Sequence, residues 1–227
     1  MTRISRAISN TVSFSPSRAI ETFPHMDLSG GGGGGGATTS TFTVAASADN
    51  GWFTKDQYYS SNPVTSYSSK ASGGSVVNVG VTFYSYQNFY RFRQVFFRFT
   101  NVTIPSGSTI STAKLKVDFL SGSERTFQIN GYNADNVSQP SAGSDGNHTN
   151  FTTANASWTV PASEAVHDSP EIKTIAQEIV DRSGWASGNA MMFGLWLPTN
   201  EYGTYNRSLN FIDATGRTDP QLEITYS

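Results

Sequence analysis

The sequence predicts an all-β fold, a β-sandwich with one short covering helix and an extended N-terminal arm. Three observations predict it. Val95, Phe97 and Phe99 alternate with Phe96 and Arg98, and Ala113, Leu115, Val117 and Phe119 alternate with Lys114, Lys116 and Asp118. That period of two marks strands, and the second run has the pattern of a sheet with one face buried and one wet. Helical periodicity with clear end signals stands out in one segment, Ile172 to Val180. Seven consecutive glycines, Gly30, Gly31, Gly32, Gly33, Gly34, Gly35 and Gly36, separate a polar beginning from everything that follows.

Residues 1–29 hold Ser, Thr, Arg, Pro16 and Pro24 with no sustained periodicity, and read as an extended arm. Polyglycine has no side chain to bury and the most backbone freedom to lose, so residues 30–36 read as a joint or as a strip lying closely between neighbouring subunits. The folded domain is expected over residues 37–227, a length that one sandwich or barrel commonly spans undivided. Its 15 Phe, 10 Tyr and 4 Trp, counted over the whole chain, supply large buried areas from few positions.

Within that domain Thr41–Ala46 reads as a first strand, ended at the turn-like Asp49-Asn50-Gly51, and residues 54–75 as a long polar loop. The strands around Val95–Phe99 and Ala113–Phe119 are joined by a connection in which Pro105 and Gly107 enforce a turn. Further strands are expected at Thr126–Tyr132, Ser157–Val160, Met191–Leu197, Leu209–Ile212 and Gln221–Tyr226, the last with Leu222, Ile224 and Tyr226 inward. For the helix, Ser169 is the expected cap, Pro170 suits the first turn and Glu171 the positive end of the dipole. Ile172, Ile175, Ala176, Ile179 and Val180 form its apolar stripe, Gly184 ends it, and Trp185 is placed to plug the adjoining gap.

Charge and composition exclude several functions. The arm carries Arg3, Arg6 and Arg18 against Glu21 and Asp27, leaving 12 basic and 15 acidic residues for the remainder. Neither part has the cationic excess that nucleic-acid binding requires. The absence of cysteine removes disulfides and thiolate metal sites. No stretch approaches the length of a membrane span, and the N-terminus lacks the apolar core of a signal peptide, so the expectation is a protein made in a host cytoplasm and not exported by its own signal.

No nucleophile or acid–base constellation is evident. His25, His148 and His167 are far apart, and Glu164, His167 and Asp168 read as a solvated approach to the helix. The expectation is therefore no enzyme and no cofactor. Two site candidates remain. Asp49 near the first strand, with Asp213 and Asp219 near the last, are weak ligand candidates for a structural calcium, because that ion wants several oxygen donors. Tyr58, Tyr59, Tyr67, Tyr86 and Tyr90, with Tyr84 and Phe89, form a dense aromatic group suited to glycan or partner contact, or to core.

Phe97–Leu115 with its Ile-Pro-Ser-Gly turn, Ile175–Ala190 with its Gly-Trp-Ala-Ser-Gly-Asn stretch, and Asp219–Tyr226 together resemble the DNRLRE-type jelly-roll module. That module is similar to galactose-binding-like carbohydrate-binding sandwiches and occurs in phage virion and microbial surface proteins. The resemblance covers residues 41–227 and implies a jelly-roll fold more than any activity. The arm and glycine run are similar in composition to those on phage structural proteins. The expectation is a non-enzymatic virion protein, a head decoration or cement protein anchored by its arm, contacting major capsid or tail subunits and associating with itself. The alternative expectation is a carbohydrate-binding or host-recognition module of a tail component, with a cell-surface glycan as partner.

Overall fold

Strand β6 (Ile110–Phe119) realises the predicted alternation, with Ala113, Leu115 and Val117 wholly buried and Lys114 and Lys116 half-exposed between them. Strand β12 (Gln221–Tyr226) lies antiparallel to it, setting Leu222 opposite Leu115 and Ile224 opposite Ala113, and β1 (Thr38–Thr43) adds outside β12. In this computed structural model the described residues are 36–58, 64–74, 76–120, 122–198, 205–211 and 216–227. The arm and Gly30–Gly35, Tyr59 and Asp213 lie outside them.

The second half of the fold is organised by β5 (Phe89–Phe99). β2 (Asn50–Gln57) pairs along one side of it, while on the other β4 (Val76–Tyr84) takes residues 89–93 and β10 (Met191–Trp196) takes residues 95–99. β7 (Arg125–Tyr132) and β8 (Phe151–Val160) continue outward from β10. β3 (Ser69–Ser72) borders β2, β9 (Ala165–Asp168) borders β6, and β11 (Tyr205–Asn210) links β4 to β6. All of these pairings are antiparallel, and the 12 strands form one hydrogen-bonded sheet folded over as a sandwich. Its core takes Val95, Phe97 and Phe99 of β5 and Phe193 and Leu195 of β10 from one side, and Leu115, Phe119 and Leu222 from the other.

Two expectations are corrected here. Residues 54–75 are not one loop, since β2 runs to Gln57 and β3 occupies Ser69–Ser72; β2 is held by register with β5 rather than by its own mixed polarity. The helix, α1, covers Lys173–Val180 and Ser169 does not cap it. Ser169 is buried, and its hydroxyl instead accepts the Leu115 N–H at 2.9 Å. The expected stripe does hold, with Ile175, Ala176, Ile179 and Val180 buried. The Pro105–Gly107 turn is also present, with Gly107 at φ 79°.

α1 closes one flank of the sandwich by serving both layers. Gln177 Oε1 accepts the Ile110 N–H and Glu171 Oε1 the Ala113 N–H, each at 2.7 Å, on the edge of β6. Glu178 accepts the N–H groups of Thr153 and Ala154 on β8, at 2.7 and 2.8 Å. Edge amides that would otherwise invite another strand are thereby satisfied. The helix sits over Gly131, where a Cβ would come within 2.7 Å of Ile175 and 2.8 Å of Ile179.

On the outer face of β5 and β10 a second core forms from Phe53, Tyr67, Phe92, Phe96, Val137 and Met192. The segment 133–150 folds over it. Gly143 lies against the backbone of Ser68 and Ser69, Tyr67 N–H donates to Asn147 Oδ1 at 2.9 Å, and His148 N–H donates to Thr65 O at 3.0 Å. Arg98 ties the same segment down, donating to Val137 O at 2.8 Å and pairing with Asp49 at 2.5 Å.

Candidate functional site

The alternation that buries Phe127 and Ile129 of β7 puts Gln128 and Asn130 on the outer face. Register then assembles a site across three strands. Trp196 of β10 lies opposite Gln128, and Asn130 opposite Asn155 of β8. The 133–150 segment brings His148 onto the same face, 4.1 Å from the Trp196 ring and stacked on Phe151 at 4.6 Å. The result is an open groove of about 390 Å³ lined by these six residues together with Thr152 and Thr153. That size falls within the roughly 300–1,000 Å³ typical of ligand pockets.

The hydrogen bonds fix most of its polar groups. Trp196 Nε1–H donates to Asn130 Oδ1 at 3.0 Å, and Gln128 Nε2 donates to Asn155 Oδ1 at 2.6 Å. Beneath them Gln94 is wholly buried, and its amide nitrogen donates to Tyr132 Oη at 2.8 Å and to Gly146 O at 3.3 Å. Because Gly146 O can only accept, the Gln94 amide orientation is settled, and Gln94 Oε1 must face His148 Nε2 at 3.1 Å. His148 therefore carries its proton on Nε2. Burial lowers its pKa from 6.5 to about 4, so at neutral pH the ring is uncharged and Nδ1 is an acceptor. Burial likewise pushes the phenols of Tyr67 and Tyr132 well up. Among the described residues, no Asp, Glu, Lys or Arg lines the groove.

A second hollow of about 370 Å³ lies beside it, between Tyr132, Pro140, Asp145, Asn150 and Met192. Asp145 is spent on its own turn. Partial burial acts to raise its pKa, but the N–H groups of Ala142 and Ser141, the Ser141 hydroxyl and Lys70 outweigh this and hold it below the usual value.

The tyrosine group divides. Gln57 lies opposite Tyr90 and Tyr84 opposite Phe89, so Tyr58, Tyr86 and Tyr90 gather at one end of the sheet. Tyr86 at the hairpin tip is 99 % exposed and Tyr58 71 %, whereas Tyr90 is half-buried against Phe83. Arg91 lies over both Tyr84 and Phe89 and is held by two hydrogen bonds to Asp56. Tyr67 is a correction: it is buried in the second core against Phe53 and His148, with only 8 % of its surface exposed.

Of the calcium candidates, Asp49 is buried and paired with Arg98, and Asp219 is half-buried. Among the described residues no three carboxylates or imidazoles come together as a metal site. Near α1, Glu164 pairs with Arg217 and Asp168 with Lys116, while His167 Nε2 meets Ser163 O at 3.1 Å. Of the groove residues only His148 is singled out from sequence, where it is set aside as isolated, although the polar Gln128 and Asn130 between core positions are a readable signal once β7 is recognised. No known protein family's model matches this chain, and no curated protein matches its sequence.

Proposed function

We propose that this chain is a non-enzymatic structural protein of a bacteriophage particle, a head decoration or cement protein. Residues 1–36 attach it to other virion proteins, to further copies of itself, or to both, and the sandwich is displayed outward. The observation that carries this reading is the seven-glycine run that follows the polar arm and leads into β1, the outermost strand beside β12. Glycine lets a backbone pass closely between neighbouring subunits, which bulkier residues would obstruct. The acidic residues of the sandwich support the non-enzymatic part of this reading, since Asp49, Asp56, Asp135, Glu164 and Asp168 are each paired with a cation rather than gathered in a cleft. Deletion of residues 1–36 tests it. The truncated chain is expected to keep the thermal transition of the full chain yet be missing from gradient-purified particles. A truncated protein that folds and still loads at normal copy number rejects the proposal.

A further inference from the structure

We infer that the outer edge of β1 is a self-pairing surface, where two copies of this chain join by antiparallel β1–β1 pairing about a twofold axis centred on Thr41. The inference rests on the sandwich alone and does not depend on a place in a particle.

The ladder with β12 decides which main-chain groups of β1 face outward. Val44 N–H donates to Pro220 O at 3.1 Å, and the register sets Phe42 opposite Leu222, Ser40 opposite Ile224 and Thr38 opposite Tyr226. In an antiparallel pair alternate residues turn their N–H and C=O to the same side, so these residues spend theirs on β12. Those of Thr39, Thr41 and Thr43 point away from it. β12 is the strand that pairs with β1, and among the described residues no hydrogen bond engages the outward N–H and C=O groups.

The other edges are closed. Glu171, Gln177 and Ser169 take edge amides of β6, and Glu178 takes those of β8. Gly143 lies against the backbone where β3 begins, and β9 is four residues long with Asp168 paired to Lys116. β1 has none of these protections. Its six residues keep one unbroken register and include no charge and no proline. Such an edge is a template for another strand.

The strand that fits it is β1 itself. Pairing about Thr41 sets Thr41 opposite the partner's Thr41 and Thr39 opposite the partner's Thr43, so the outward groups of each copy meet those of the other. On the exposed face this builds a threonine ladder, an arrangement already present within one copy, where Thr39 Oγ1 meets Thr225 Oγ1 at 2.9 Å. On the inner face Phe42, half-buried against the main core, falls opposite the partner's Ser40. The two Phe42 rings are then diagonal neighbours about 7–8 Å apart, within reach of each other. Beyond the strand Ala37 meets the partner's Ala45 and Gly36 the partner's Ala46, all small and exposed. No like charges are opposed, because Glu223, opposite Thr41 on β12, is paired with Lys116 at 3.6 Å. A twofold closes the assembly at two copies, since it uses the same edge of each.

The test is sedimentation equilibrium of the purified full chain from about 1 to 300 µM. A six-residue seam buries less than a standard interface, so a weak dimer is expected, half dissociated at roughly 10–100 µM. Thr41→Pro removes the central outward N–H, which does not serve β12 and which an edge strand can lose, and should leave a monomer across the range. Thr41→Lys keeps that N–H but opposes two ammonium groups across the axis, and should weaken the dimer at least about tenfold. The chain has no cysteine, so a single introduced one reports only contacts between copies. Under mild oxidation Thr41→Cys should give a covalent dimer, its paired Cα atoms lying about 5.5 Å apart, within the roughly 4.4–6.8 Å of a disulfide. Thr39→Cys, more than about 13 Å from its counterpart, should not. The inference is overturned if the wild type stays monomeric throughout, if association survives both Thr41→Pro and Thr41→Lys, or if Thr39→Cys cross-links as readily as Thr41→Cys. Deletion of the arm reads on residues 1–36 and this panel on β1, so either reading can fail without the other.

Discussion

Acidification from pH 7 to 4.5 should destabilise this protein through His148 more than through any other described histidine. The ring is held by Gln94 and packed between Trp196 and Phe151, and burial lowers its pKa from 6.5 to about 4. The unfolded chain therefore takes up a proton near 6.5 that the folded chain refuses until about 4. Stability from this group is complete above 6.5 and is lost as the pH falls towards 4. At 1.36 kcal/mol per tenfold difference in proton affinity, the gap caps the loss at roughly 3 kcal/mol. Part of the ring remains accessible, so solvent screening brings the expected value to roughly 1–2 kcal/mol. Urea denaturation followed by tryptophan fluorescence, at half-unit steps of pH, measures it. With a slope of about 2 kcal/mol per molar urea, the midpoint should drop by roughly 0.5–1 M more for the wild type than for His148→Gln. The substitution removes the titration while keeping a donor for Gln94. Parallel profiles for the two proteins between pH 7 and 4.5 would refute the buried, neutral imidazole.

Asp49→Ala leaves Arg98 largely buried without its counter-charge and should cost roughly 3 kcal/mol, seen as a fall in Tm of about 10 °C; a change under about 2 °C would show that the pair is not isolated from water. Gly143→Ala would place a Cβ about 2.4 Å from the Ser69 nitrogen and 2.5 Å from the Ser68 carbonyl carbon, both backbone. The 133–150 segment must then lift, at roughly 1–3 kcal/mol, and calorimetry should record a lower Tm with an unchanged secondary-structure spectrum. Glu178→Ala removes the acceptor of two β8 amides, costs about 1 kcal/mol, and should speed hydrogen exchange at Thr153 and Ala154 while leaving Phe127 unaffected.

The elements legible in the sequence are those whose local pattern is a direct consequence of their environment. β6 has one wet face and one dry, so its lysines and aliphatics alternate, and α1 has a single buried stripe. β2 fails that test because both its faces are mixed: Trp52 and Thr54 are half-exposed while Asn50, Gly51 and Phe53 are buried. What makes it a strand is β5, which pairs with every residue from Asn50 to Gln57. The helix start was misplaced for a related reason. Ser169 has the right chemistry for a cap, but the nearer demand is the buried Leu115 amide on the edge of β6, while Glu171 Oε1 accepts the first helical amide, Lys173 N–H, at 2.9 Å.

The groove is harder to read because no short segment contains it. Gln94, Gln128, His148, Asn155 and Trp196 are brought together by the β5–β10–β7–β8 register and by one covering segment, so each residue in isolation looks like an ordinary strand or loop position. Trp196 in particular follows the buried run Met191–Leu195 and reads as one more core residue until its facing partner, Gln128, is known. The polar chain under the site fixes geometry at a cost in burial. An aliphatic residue at position 94 would fill the second core without the desolvation cost of an amide. Gln94 instead spends one hydrogen bond on Gly146 O and another on His148, both in the covering segment. Those two bonds fix where the imidazole sits and which nitrogen bears its proton, and neither packing nor burial alone would specify that. The buried amide thus sets the orientation of a half-exposed ring beside Trp196.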